Sequence, residues 1–229
     1  MKTPMKHSLC RPGSRALWVT ATAALLLAGC AGFAPPARPL VYDFGPGATA
    51  VLPSNRMARL ATITLPEVDA PVALESTAVL YRLGYADAQQ LRPYALARWT
   101  MLPGQLLRQR LREQLGLKRT VLAPGEAGPV LPVTSTQPFV QPPAIVRVEL
   151  EEFSQLFEAP QTSVGLIRVR ATVLQTGANG TRTSAQQTFI VQRPAPTADA
   201  AGGVKALALA TDALIEQLDA WLQQSVGAP

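Results

Sequence analysis

Reactive side chains are scarce in this chain. It has one histidine, His7, and two cysteines, Cys10 and Cys30. Cys30 has the most informative setting. It directly follows Leu27-Ala28-Gly29, at the end of an apolar run that begins at Ala16. Lys2, Lys6, Arg11 and Arg15 precede the run, and residues 1–29 contain no acid. A Pro-rich stretch, Ala34-Pro35-Pro36-Ala37-Arg38-Pro39, follows. A basic start, an apolar middle and small residues before a cut are the parts of a secretory signal. The run from Ala16 to Ala28 falls short of the roughly 20 residues that a membrane-spanning helix needs. A core helix at this position fits the basic flank and the prolines less well.

The Leu-Ala-Gly-Cys junction resembles the lipobox of bacterial lipoproteins. That resemblance implies cleavage between Gly29 and Cys30, an S-diacylglycerol on the Cys30 thiol and an acyl group on its new amine. Its consequences for chemistry are large. The leader takes His7 and Cys10 away, and lipid occupies Cys30. The mature chain then has no histidine, no free thiol and no disulfide. It has lost the usual general base, the thiol nucleophile and the common zinc ligands. Absence of disulfides is compatible with an oxidising periplasm when the core is large enough. No G-x-x-x-x-G-K-[ST] phosphate loop and no G-x-G-x-x-G fingerprint occurs. Glu149, Glu151 and Glu152 are the notable carboxylates, and two-carboxylate hydrolysis remains open on residue types alone. They alternate with arginines on a strand, which suits register control better. We therefore expect no enzyme, no catalytic residue, no bound cofactor and no metal site. The whole chain carries +6, from 21 basic and 15 acidic residues. Without the four basic residues of the leader it carries only +2, with no clustered basic footprint for nucleic acid.

Three segments follow from the composition: a signal at residues 1–29, a lipidated Cys and Pro/Gly-rich tether at 30–56, and one domain at 57–226. In the tether, Val41-Tyr42-Asp43-Phe44 is an apolar island, a short strand or a docking clip. The domain is expected to start with a strand over Met57–Leu65, ended by Pro66, and a second over Ala78–Arg82. Leu91–Trp99 is ambiguous. Pro103 suits the first turn of a helix, which runs to Leu115 with Leu107, Leu111 and Leu115 on one stripe and Arg108 and Arg112 on a solvated face. A strand at Thr120–Ala123 leads into a long Pro-rich loop, Pro124–Pro143. Two long strands, Ile145–Phe157 and Val164–Thr176, alternate strictly and form a hairpin whose outward Glu and Arg side chains pair. The turn Gly177-Ala178-Asn179-Gly180 leads to a strand over Ser184–Gln192. Pro194–Gly203 reads as a linker before a closing helix over Val204–Ser225, with Leu207, Leu214, Leu218 and Trp221 on its apolar stripe and Asp212, Glu216 and Asp219 opposite.

The order of landmarks resembles the ABC-type transport auxiliary lipoproteins, which include the paraquat-inducible protein C type of membrane-integrity lipoprotein. It is carried by Tyr42-Asp43-Phe44, by Arg59 to Pro66, by Val79-Leu80-Tyr81-Arg82 and by Tyr94 to Trp99 running into Leu106–Leu115. The paired long strands and a closing helix with Leu218 and Trp221 complete it. The resemblance implies an α+β fold, a mixed and largely antiparallel sheet with two main helices packed on it, similar to the N-terminal domain of TolB. It implies a non-enzymatic accessory that works with an ABC permease, an ATPase and a mammalian-cell-entry (MCE) domain protein in lipid transport. Ala31, where inner-membrane retention would call for Asp, implies the periplasmic face of the outer membrane. A homo-oligomer stays open, and nucleic acid is not an expected partner. The alternative is a structural lipoprotein of another envelope assembly or secretion machine.

Overall fold

A computed structural model describes residues 37–47, 60–126, 141–177 and 180–226. The leader, Gly29 and Cys30, most of the tether, Met57–Arg59 and most of the loop Pro124–Pro143 lie outside them. The elements run β1 (Leu40–Tyr42), β2 (Ile63–Thr64), β3 (Ala78–Leu83), β4 (Asp87–Trp99), α1 (Pro103–Gly116), β5 (Val121–Leu122), β6 (Ala144–Ala159), β7 (Thr162–Gly177), β8 (Gly180–Pro194) and α2 (Ala200–Ser225). All belong to one compact unit that starts at Pro39. Folded structure thus begins inside the stretch whose composition suggested a tether.

Strand β6 organises the sheet. It pairs antiparallel with β7, and β7 with β8. Its other edge is shared. Ala144 and Ile145 take β2 in parallel, with β5 beyond it, while Gln155, Leu156 and Phe157 take β3 in parallel, with β4 and β1 beyond it. An isolated bridge between Asp69 and Glu149 fills the space between the two groups. The sheet is mixed and mostly antiparallel, with two helices packed on it.

Alternation explains why β6 and β7 are strands. Val146, Val148 and Leu150 are buried, as are Ile167, Val169, Ala171 and Val173 opposite them. The period of two then meets the adjacent acids Glu151 and Glu152. A β-bulge there leaves Glu151 as the extra residue, since Leu150 faces Val169 and Glu152 faces Arg168. The bulge restores the phase, so that Phe153 and Phe157 return to the buried face. Without it, a one-residue slip turns both rings toward water.

Both helices cover this inner face and join one hydrophobic cluster. Pro103 occupies the first turn of α1, and Leu107, Leu111 and Leu115 are fully buried, as their spacing predicts. In α2, Leu207, Leu214, Leu218 and Leu222 are fully buried, while Trp221 is half-buried and meets Phe189 edge-on at 5.8 Å. The helix approaches β7 so closely that a Cβ on Gly165 would lie 2.5 Å from the backbone of Ala206 and Leu207. Only glycine fits there. Phe44 packs on Trp99 (5.7 Å) and Phe153 (6.0 Å), which fixes the end of β1 to the core. The apolar island at Val41–Phe44 is therefore a strand with an aromatic anchor.

Several expected boundaries change. Of the strand expected over Met57–Leu65, the described residues from Leu60 on are regular at Ile63–Thr64, which lie between β5 and β6. Leu91–Trp99 resolves as the second half of β4, a long partner for β3. The linker expected at Pro194–Gly203 is shorter. Strand β8 runs through Pro194 and α2 begins at Ala200, capped by Asp199, whose Oδ1 accepts from the Gly202 N–H at 2.8 Å. Gly202 and Gly203 look like breakers in sequence but lie in the buried first turn of α2. A Cβ on Gly203 would stand 2.1 Å from Gln155 Oε1.

Candidate functional site

The polar side chains gather in three places, and each joins two or more elements. The first is the seam between α1 and α2. Arg110 donates through Nε and Nη2 to the two carboxylate oxygens of Asp212 at 2.7 and 3.0 Å, and Gln114 Nε2 donates to Oδ1 at 2.8 Å. Arg110 Nη1 reaches Glu113 at 3.2 Å. The hydrogen bond to Asp212 raises the affinity of the Arg110 guanidinium for its proton. Two helical turns on, Asp219 accepts from Lys118 Nζ at 2.7 Å and from Arg119 Nη2 at 2.5 Å. Asp219 and Arg119 are 4% and 2% exposed. Burial pushes the Asp219 carboxyl up, but the bonds and charges of Lys118 and Arg119 outweigh it and hold the group below the usual carboxylate range. Asp212 and Asp219 were expected opposite the apolar stripe. They instead border it, facing the basic residues of α1 and its C-terminal turn. Arg108, expected on a solvated face, is also engaged. Its Nε donates to the Pro66 carbonyl at 3.2 Å, and Nη1 meets Glu67 at 3.0 Å.

The second cluster lies where β4, β6 and β7 meet the start of α2. Tyr94 OH donates to Gln155 Oε1 at 2.7 Å, and Gln155 Nε2 donates to Ser163 Oγ at 2.7 Å. Burial, then the neighbouring Tyr81 and Asp199, raise the Tyr94 phenol well above its ordinary value. It stays protonated at any physiological pH and serves as a donor, not a base.

The third is the sheet face away from the helices. Arg82 makes a bidentate pair with Glu152, at 2.9 and 3.3 Å, and Ser154 Oγ donates to the same carboxylate at 2.7 Å. Arg82 Nη1 also donates to the carbonyls of Ala88 and Gln89, which ties the β3–β4 turn to β6. Arg170 faces Glu149 at 3.8 Å and contacts Glu151. Arg147 faces Asp69 at 3.6 Å. Glu149, Glu151 and Glu152 thus each hold a guanidinium across strands, as their alternation with arginine implied. The more exposed pairs of Arg147 and Arg170 contribute about 0–1 kcal/mol each.

Among the described residues no group of three His, Cys, Asp or Glu side chains is placed to hold a metal ion. No helix among them is long and apolar enough to cross a membrane. A cleft of about 230 Å³ between Phe44 and α1 is lined by Asp43, Thr100, Met101, Leu106, Arg110 and Glu113. Gly29 and Cys30, the residues marked by the sequence for cleavage and lipidation, lie outside the described residues. The seam pairs of Asp212 and Asp219 were missed. Their only sequence signal is a seven-residue spacing that puts both on one face of α2.

Among the described residues, charged groups serve as cross-braces between elements of a mixed sheet that two helices cover on one face. The chain belongs to the family of ABC-type transport auxiliary lipoprotein components, whose model matches residues 42–219. Among solved structures it is similar to protein XCC0632 from Xanthomonas campestris, at 15% identity over 81% of this chain and 96% of that one, with a TM-score of 0.61. It is also similar to an uncharacterized protein at 15% identity over 81% and 99% of the two chains, with a TM-score of 0.54. At such identity these likenesses speak for the fold alone. None of the curated proteins matches the chain.

Proposed function

We propose that this chain is the lipid-anchored accessory of an MCE-type ABC lipid transport system and acts without catalysis. In this reading the leader is cut between Gly29 and Cys30, Cys30 carries the S-diacylglycerol and N-acyl groups, and the protein stands on the periplasmic face of the outer membrane. Its partners are an MCE-domain protein and, through it, the ABC permease and ATPase. The observation that carries the reading is the family match across the folded unit, directly downstream of Leu27-Ala28-Gly29-Cys30. Ala31 supports the outer-membrane address. The physics agrees with an accessory. One fatty chain holds a protein only marginally at a membrane, whereas several fix it stably. Confinement then raises the effective concentration of the domain near its partners, so a weak protein contact suffices.

Affinity purification of the tagged full chain from gently solubilised membranes tests this. An MCE-domain protein, with its permease and ATPase, is the expected company. Recovery of secretin or lipopolysaccharide-assembly components without any MCE-domain protein overturns the reading in favour of another envelope machine. Replacing the thiol, Cys30→Ser, is expected to leave the leader uncut and the protein mislocalised. Normal maturation of that variant refutes the anchor.

A further inference from the structure

Most large apolar side chains that reach the surface do so singly. Val72, Tyr85, Leu117, Ile190 and Leu209 lie in five separate places: a short 3-10 turn, the β3–β4 turn, the end of α1, β8 and α2. Three others are contiguous. Leu40 and Val41 on β1 are each 62% exposed, and Leu96 on the neighbouring β4 is 50% exposed. The register sets Leu40 beside Ala97 and Val41 beside Arg98. Ala97 and Trp99 are buried, so Leu96, Arg98 and Val41 share the outer face, while Leu40 projects on the inner one beyond the reach of the helices. The result is a sheet edge with uncovered apolar side chains on both faces.

We infer that this β1–β4 edge rests against the lipid surface to which Cys30 is anchored; the inference rests on the anchor reading above. Covalent geometry supplies the first argument. Ten residues separate Cys30 from Leu40, which at full extension is about 35 Å. With Pro35, Pro36 and Pro39 in the stretch, a polyproline-like course gives about 31 Å. The β8 edge lies five strands further across the sheet, roughly another 24 Å at the usual strand spacing. The β1 edge is therefore the flank joined to the anchor by the shortest stretch of chain, within roughly 31–35 Å of Cys30.

The chemistry of the edge supplies the second argument. Leu40–Tyr42 contains no acid, although Asp43 follows it, and β4 carries Arg92 and Arg98 with one acid, Asp87, at its far end. Basic residues beside apolar ones suit the boundary between anionic headgroups and acyl chains. Shape supplies the third. A protein stacking on the sheet would cover one face of this edge, not both. Strand addition wants a long run of free backbone, and β1 has three residues. A bilayer interface accepts the edge end-on, with water still available to its backbone groups.

The test uses the mature full-length lipoprotein in vesicles of phosphatidylethanolamine and phosphatidylglycerol. Val41→Cys, Leu96→Cys and Ile190→Cys each introduce the sole free thiol of the acylated chain, for an environment-sensitive fluorophore. Labels at 41 and 96 are expected to shift to the blue and to be quenched by lipids brominated near the headgroup, while the label at 190 is unaffected. Acylated protein that floats with the vesicles but leaves 41 and 96 unquenched overturns the inference and spares the anchor. So does cross-linking between copies at 41 or 96 without lipid quenching, which assigns the edge to a second copy. Fluorophore uptake at Cys30 in the unsubstituted mature protein overturns both.

Discussion

Removing the Asp219 carboxylate is the sharpest test of the helix seam. Asp219→Ala leaves Arg119 with no acidic partner, in a place where the arginine side chain is 1% exposed. Its Nε already has no hydrogen-bond partner among the described residues, so the Nη2 bond to Asp219 matters more. Breaking a buried pair from one side costs about 3–5 kcal/mol, since the charge left behind stays desolvated. The bond from Lys118, whose side chain is 58% exposed, adds about 0–1 kcal/mol. Against a total stability of about 5–15 kcal/mol, the variant is expected to lose a large share. Its Tm should fall by roughly 6–20 °C for a domain of this size. Urea titration followed by circular dichroism measures the loss. A double variant, Arg119→Met with Asp219→Leu, removes both charges and should recover most of it. Acid titration adds a signed check. The folded carboxyl sits below its unfolded value of about 4, so its contribution is complete above that pH and fades as pH falls through the folded value. Asp219→Asn should lack that part of the acid limb. A loss below about 1 kcal/mol for Asp219→Ala, with no recovery in the double variant, refutes the claim that this pair is buried and coupled.

Other sites give further expectations. Gly165→Ala forces a methyl against the backbone of α2 and should cost about 1–3 kcal/mol by overpacking, read as a lower urea midpoint. Phe153→Ala empties the space between Trp99 and Phe44 and should cost about 3–5 kcal/mol, with β1 losing amide-exchange protection first. Asp199→Ala removes the cap of α2 and should cost about 0.5–2 kcal/mol. Glu152→Ala strands a half-buried Arg82 and should cost about 1–3 kcal/mol, with faster amide exchange in the β3–β4 turn as its signature.

Long periodic elements were the legible part of the fold. The alternation of Ile167, Val169, Ala171 and Val173 and the i+4 leucines of α1 follow from geometry that a single segment contains. Pairing set by distant partners was not legible. Ile63–Thr64 is a strand because β5 and β6 flank it, and nothing in Leu60–Leu65 alone marks those two residues. Gly203 misleads in sequence because the reason for its small size, contact with Gln155, lies 48 residues upstream. The seam pairs were hidden for a similar reason. Asp219 has an ordinary solvated look until Arg119, 100 residues away, is placed beside it. The Glu149–Arg170 pairing was visible because one hairpin carries both partners. For the candidate site, the junction at Cys30 speaks through local residue types alone, whereas the exposed edge at Leu40, Val41 and Leu96 needed coordinates.

The shared edge of β6 has a consequence for the order of assembly. Tyr81 of β3 waits for Gln155, and Ile63 of β2 waits for Ala144, so the front half of the polypeptide owns no complete sheet of its own. Such long-range parallel partners close late and slowly. As the chain emerges, the part ahead of residue 144 can pair only within itself, as β1 does with β4 and β2 with β5, and the last two-fifths must arrive before these groups join one sheet. Closure of the whole domain is thus tied to a single strand made late in synthesis.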